Sequence, residues 1–266
     1  MTDSLRKSVR RHAVTAQLLG ADSIPSYPSK RARPAAPEEA PPPAPEVVVA
    51  PPSAIFVEPK PKATREEREA LLAQLRAVYE SDAPHKQFVT AFTNIVFGDG
   101  DAAARLMFVG EAPGAEEDRT GKPFVGRAGE LLNKMITAMG LKREDVYIAN
   151  VLKTRPPDNA TPTSFEIDLC RPYLMNQIEI VGPEVVVALG LPASRALLRN
   201  DESMGSMRGR WHSVTLPTGA QLAVMPTYHP AYVLRNYTDE TRAKVWSDLK
   251  MAMDRLGLST PSGTKS

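Results

Sequence analysis

The sequence predicts an α/β protein built on a parallel sheet with helices on both faces. Short runs rich in branched apolar residues, at 105–109, 146–149 and 185–189, read as strands buried on both sides. Segments with helical spacing separate them, which is the pattern of parallel strands joined by crossover helices. Three polar loops leave strand ends, at 110–129, 150–162 and 226–235. In open sheets of this kind, ligands bind beyond the carboxyl ends of the strands.

The elements follow in order. A short helix is expected over 4–18. Twelve of the 25 prolines then fall between Pro25 and Pro61. Proline donates no backbone hydrogen bond, and the stretch holds too few large apolar groups for a core. Residues 20–62 therefore read as a disordered or polyproline-like tether, with a docking site for a partner as the alternative. Thr64-Arg65-Glu66-Glu67 is a helix-opening capping pattern, and Leu71, Leu72, Leu75 and Val78 continue it to about Glu80. Helices are expected at 126–139, 163–181, 192–198 and 238–256, and a hairpin at 211–216 and 221–225 turning on Pro217-Thr218-Gly219. This gives an N-terminal segment over 1–63, a folded domain over 64–258 and a disordered tail over 259–266.

Composition excludes some classes of function. Net charge is only +2, so a nucleic-acid surface would have to be a local basic patch. Cys170 is the single cysteine, which rules out an intramolecular disulfide and fits a reducing, cytoplasmic setting. No apolar run is long enough to cross a bilayer, and the basic residues 1–20 lack the apolar core of a secretory signal.

The three loops hold the candidate chemistry. The first reads Gly110-Glu111-Ala112-Pro113-Gly114, then Gly121-Lys122-Pro123-Phe124-Val125-Gly126-Arg127-Ala128-Gly129. Its glycines allow close approach of backbone to a ligand, yet it matches neither the dinucleotide fingerprint nor the P-loop. Glycines alone would make this a surface turn; the carboxylate Glu111 just past the strand and the aromatic Phe124 argue for more. The second loop starts at Asn150, whose amide can read a base edge, and continues Lys153-Thr154-Arg155-Pro156-Pro157. The third contains Tyr228-His229-Pro230-Ala231-Tyr232-Val233-Leu234-Arg235, with a histidine suited to act as acid or electrophile. A lone histidine is more often structural. A carboxylate, an amide and an imidazole at three strand ends are harder to dismiss.

From Leu106 to about Leu256 these motifs resemble the uracil-DNA glycosylase superfamily, closest to its iron–sulfur branch, often called family four. GEAPG, TGKPFVGRAGELLN, the Asn150 strand end with KTRPP, and YHPAYVLRN carry the resemblance. It implies a three-layer α/β/α fold with a central four-stranded, mainly parallel sheet, and uracil turned out of DNA into a pocket. It further implies Glu111 as the catalytic carboxylate and His229 as the donor to uracil O2. Gly110, Ala112, Phe124 and Asn150 are implied to bind the base, with Phe124 stacking and Asn150 reading its edge. Lys153, Arg155, Arg208 and Arg235 are expected to contact DNA phosphates. Tyr232, Val233 and Leu234 read equally well as a wedge for the gap left in the duplex or as packing.

The sequence departs from that branch in one respect. The branch's four cluster cysteines fall on Ala83, Lys86, Thr154 and Cys170, and only Cys170 is a cysteine. One thiolate cannot hold a cluster that needs four ligands, so no 4Fe-4S cluster, no other cofactor and no metal is expected. Phe88, Phe92 and Phe97 are expected to pack in its place; a makeshift metal site from Asp82, His85 and Cys170 has no strong precedent in spacing. The expected partner is uracil-containing DNA, with no membrane, and the expected state is a monomer. The alternatives are a weak or inactive DNA-binding relative acting with replication or repair partners, and an enzyme acting on free nucleotides.

Overall fold

The computed structural model describes residues 63–259. The expected helix at 4–18, the proline-rich tether at 20–62 and all but the first residue of the 259–266 tail lie outside the described residues. Among the described residues, no helix is long and apolar enough to cross a membrane.

Helix α1 (Arg65–Asp82) opens where the capping pattern put it. The Thr64 hydroxyl accepts from Glu67 N and the Glu67 carboxylate accepts from Thr64 N, satisfying two otherwise orphaned amides. The apolar repeat then buries Leu72, Leu75 and Tyr79. Helix α1 packs on the equally long helix at Ser164–Val181 and caps its far end: the Arg68 guanidinium donates to the carbonyls of Ile180 (2.9 Å) and Val181.

Six strands form one sheet: β1 (Asp99–Gly100), β2 (Leu106–Gly110), β3 (Tyr147–Asn150), β4 (Val185–Leu189), β5 (His212–Thr215) and β6 (Gln221–Thr227). Their order is β1-β3-β2-β4-β6-β5. The central four are parallel, and β1 and β5 add antiparallel edges. The expected four-stranded sheet is thus the parallel centre of a larger, mixed one. Strand β1 has two residues and no periodicity to read, while β5 is the outer arm of the foreseen hairpin.

Successive side chains of each strand go to opposite faces. Met107 and Val109 of β2 join a core with Leu72, Leu75 and Tyr79 of α1 and with Cys170, Leu174 and Ile178. Leu106 and Phe108 join the other core, with Leu132, Ile136, Leu249 and Met253. The helices in chain order are α2 (Ala115–Thr120), α3 (Arg127–Ala138), α4 (Ser164–Val181), α5 (Leu191–Leu198), α6 (Met204–Met207), α7 (Pro230–Arg235) and α8 (Asp239–Leu256). Helices α1 and α4 cover one face, α3 and α8 the other.

Two segments read as loops are helical. Helix α2 shows no apolar repeat; it is held because Asp118 is buried and accepts from the amides of Thr93 (2.7 Å) and Asn94 (3.0 Å). Helix α7 starts with Pro230 at its first position, where a missing N–H costs nothing.

Arg208, expected at the DNA backbone, is instead spent inside the fold. Its guanidinium bonds both oxygens of the fully buried Asp248 (3.1 and 2.8 Å), which also accepts from the Thr227 hydroxyl at 2.7 Å. This ties α8 to the end of β6. Removing one partner strands a buried charge, so Arg208→Ala is predicted to lower unfolding free energy by about 3 to 5 kcal/mol. Denaturant titration reads this, and Arg208→Met with Asp248→Leu together should recover most of the loss.

Candidate active site

Strand order reverses between β2 and β4, and the crevice beyond their carboxyl ends is a cavity of about 770 Å³. Register brings the loops together. Gly110 pairs with Asn150 across β2 and β3, and Leu189 pairs with Thr227 across β4 and β6. The residues that follow line the cavity: Glu111, Asn150, Gly190 and Tyr228-His229.

Asn150 and Phe124 line the cavity side by side, with Gly110 packed against both. A Cβ on Gly110 would lie 2.3 Å from Asn150 Oδ1 and 2.5 Å from the Phe124 ring, so only glycine lets both close in. Asn150 is buried, and its Oδ1 has no hydrogen-bond partner. A buried, unpaired acceptor is costly unless a ligand completes it.

Phe124 holds a left-handed backbone (φ 53°), rare for an aromatic residue and a mark of stored strain. Two charged side chains hold it there. The Glu117 carboxylate accepts from Val125 N and Gly126 N (both 2.9 Å) and from Gly114 N (3.2 Å). From the other side, Arg143 donates to the carbonyls of Pro123 (2.5 Å) and Phe124 (3.1 Å). Gly129 lets α3 pass so close that a Cβ there would strike the Phe124 carbonyl at 1.9 Å. The Phe124 ring stands 5.5 Å from the His229 ring, tilted 34°.

His229 caps α7. Its Nδ1 accepts from Ala231 N at 3.1 Å, so that nitrogen carries no proton and the neutral ring carries its proton on Nε2. Burial, reinforced by the Arg235 guanidinium, depresses its pKa to about 4. At neutral pH the ring is therefore an uncharged hydrogen-bond donor. Burial pushes the Glu111 carboxyl up, partly offset by the neighbouring Thr161 hydroxyl and Arg235.

Sequence reasoning missed Asn159, Thr161, Glu117 and Arg143. The first three line the cavity. Asn159 has a positive φ of 53° and accepts from Arg155 Nε at 2.9 Å; the RPPDN run was the only signal for it. Arg143 gave none, because its partners are 10 to 44 residues away: the carbonyls of Phe124 and Pro123, Asn133 Oδ1 (3.0 Å) and Asp99 Oδ2 (3.4 Å).

The expected phosphate contacts divide. Arg235 is exposed at the rim and Arg155 sits on the 150–162 loop. Lys153 is a correction: it is fully buried, with Nζ donating to Asn150 O at 2.7 Å and to Gln177 Oε1. No phosphate reaches it. Among the proposed wedge residues, Val233 is packed inside, whereas Tyr232 is exposed and stacks on Tyr228 with ring centroids 4.9 Å apart.

Around the four positions named from the resemblance, the donors do not fit an iron–sulfur cluster. Ala83 ends α1, Lys86 carries an amine, and Thr154 is a buried hydroxyl. Burial pushes the Cys170 thiol up to about 12, away from the thiolate a metal needs. Tyr79 faces Thr154 and Cys170 and packs against Tyr173 (5.1 Å), His85 (5.4 Å) and Phe97 (6.1 Å). Of the expected aromatic packing, Phe97 lies against Tyr79, Phe88 packs on the same core and Phe92 meets the His85 ring at 4.9 Å, with Tyr79 at the centre. Asp82 accepts from the Tyr173 hydroxyl at 2.6 Å, and among the described residues no three His, Cys, Asp or Glu side chains are grouped so as to hold a metal ion.

A family model described as the Uracil DNA glycosylase superfamily matches residues 97–250. The type-4 uracil-DNA glycosylase of Thermotoga maritima is 46% identical over 160 residues, 60% of this chain and 82% of that protein. Its namesake from Pyrobaculum aerophilum is 43% identical over 162 residues, 59% of this chain and 81% of that protein. That of Archaeoglobus fulgidus is 41% identical over 174 residues, 64% and 86% respectively.

The electrostatics of His229 are testable directly. An unfolded histidine titrates near 6.5, so a folded value near 4 means the unfolded chain binds the extra proton first. The stability this contributes is complete above about pH 6.5 and is lost as pH falls toward 4. The His229 Cε1–H proton resonance should stay flat from pH 8 to about 5 and move only below that.

Proposed function

The chain belongs to the uracil-DNA glycosylase superfamily, and we propose from that premise that it hydrolyses the bond between uracil and deoxyribose in DNA. One observation carries the reading: a carboxylate, a buried amide with an open acceptor, an aromatic face and a neutral imidazole donor share one cavity.

In this reading, uracil leaves the duplex and lies on Phe124 in the cavity that Phe124, Asn150, Glu111 and His229 line. Its N3–H meets the free Oδ1 of Asn150, and the amide nitrogen donates to O4. Cytosine lacks that N–H at N3 and presents an amino group at C4, so the same amide discriminates against it. As the N1–C1′ bond breaks, its electron pair moves into the base and charge grows on O2. His229 Nε2–H is the donor there. A neutral donor suits the task because it keeps the proton while stabilising the anion. Glu111 supplies negative charge beside the oxocarbenium-like sugar and orients a water toward C1′; the water's proton passes to the carboxylate and its oxygen stays on the sugar. Glu111 then releases its proton to solvent and the uracil anion takes one up at N1, leaving free uracil and an abasic site, the starting point of base excision repair.

Arg235 and Arg155 are proposed to meet phosphates at the rim. The protein acts as a monomer on DNA in the cytoplasm. The reading includes no iron–sulfur cluster. Its support is the donor chemistry, with one high-pKa thiol and a neutral side chain, an amine and a hydroxyl at the other positions.

An oligonucleotide with one deoxyuridine, treated with enzyme and then alkali, tests the activity. The wild type should give strand breaks at the uracil. Glu111→Ala should lower the single-turnover rate by about 10²- to 10⁴-fold and His229→Ala by about 10²- to 10³-fold. Binding without cleavage by the wild type would favour an inactive relative. Purified protein should carry no stoichiometric iron and no absorbance band near ~400 nm, where Cys-ligated clusters absorb; finding both would overturn the cluster-free reading.

A further inference from the structure

A fully buried lysine with no carboxylate partner stands three residues past Asn150, and the mechanism above does not use it. Lys153 takes part in no ion pair among the described residues. Placing an ammonium inside a protein is costly unless the site repays it. Burial depresses its pKa to about 7, so near neutrality much of the amine is uncharged, with two N–H groups for two acceptors.

Those acceptors are informative. One is Asn150 O, 2.7 Å away, the last carbonyl of β3 as the chain leaves the sheet. The other is Gln177 Oε1 on α4. Gln177 in turn donates through Nε2 to Phe97 O at 2.9 Å, and Val96 N donates to Lys153 O at 2.8 Å. The amine also lies 5.4 Å from the centre of the Phe97 ring. Lys153 therefore fastens the exit of β3 to a long helix and to the 96–97 segment at once. The Asn150 side chain projects from this fixed point toward Gly110 and Phe124.

We infer that Lys153 is a positioning residue that holds the Asn150 amide in register with the uracil edge. The inference rests on the activity proposed above. A methionine at 153 fills similar space but leaves both carbonyl oxygens unpaired and the β3 exit free to rotate. A shift of about 1 Å in a positioning group costs roughly 10²-fold in rate.

The test compares wild type, Lys153→Met and Gln177→Met with the deoxyuridine oligonucleotide, and adds inhibition by free uracil. Lys153→Met should lose roughly 10- to 100-fold in kcat and weaken free-uracil inhibition in step, with KM and the salt dependence of DNA binding unchanged. Gln177→Met, which removes one anchor, should show a smaller loss of the same kind. Leu174→Ala, a core truncation with no link to Asn150, is the control: it lowers the melting temperature and leaves kcat at low temperature intact. Unchanged kcat in Lys153→Met would overturn the inference. So would uniformly weaker DNA binding with a salt slope reduced by about one, the signature of a phosphate contact. If Lys153→Met does not fold, Gln177→Met decides alone, and wild-type kcat and uracil inhibition in it overturn the inference. Absence of cleavage by the wild type sinks the activity reading instead; the Asn150 side-chain amide resonance, displaced in Gln177→Met or not, then decides the positioning role.

Discussion

Strand β2 is paired in parallel on both sides, with β3 and with β4, and the site follows from that pairing. Because Gly110 stands opposite Asn150, the first residue beyond β2 and the last of β3 reach the same edge of the sheet. Because Leu189 stands opposite Thr227, the exit of β4 and the histidine beyond β6 do the same. A register slip of one residue would turn Asn150 to the other face. Both faces of the sheet are packed with branched apolar side chains, which fixes that register without any contribution from the polar groups that use it.

The charges nearest the cavity are arranged mostly against backbone. Glu117 collects three amides, Arg143 two carbonyls, and Lys153 one carbonyl and one side-chain amide. These bonds hold a strained Phe124 and a buried, incompletely bonded Asn150 in place before any ligand arrives. Such preorganisation means the donors and acceptors do not reorient during the reaction, which is where electrostatic catalysis gains most. Burial then sets the protonation state: the same enclosure that raises Glu111 keeps His229 neutral.

Much of this was legible in the chain. Apolar runs of five and the capping box at Thr64 located strands and helices to within a residue or two, because those signals are local. Glu111, Asn150, Phe124 and His229 were readable because each sits at a strand end or within a glycine-rich turn. Lys153 was misjudged for a physical reason: a lysine between a strand and an Arg-Pro-Pro run reads as solvated, and nothing local says that the chain turns inward there. Arg208 and Arg143 fail in the same way, since their partners lie 40 and 10 to 44 residues away. Strand β1 and helix α2 were invisible because elements of two and six residues are held by tertiary contacts such as the buried Asp118, not by periodicity.

In the proposed function, the cavity receives a flat pyrimidine with an N–H between two carbonyls. A crystal structure with free uracil bound tests it most directly. The ring is expected on Phe124, with N3 at hydrogen-bonding distance from Asn150 Oδ1 and O2 within about 2.7 to 3.1 Å of His229 Nε2. Uracil bound with O2 turned away from His229, or seated elsewhere on the molecule, would contradict it.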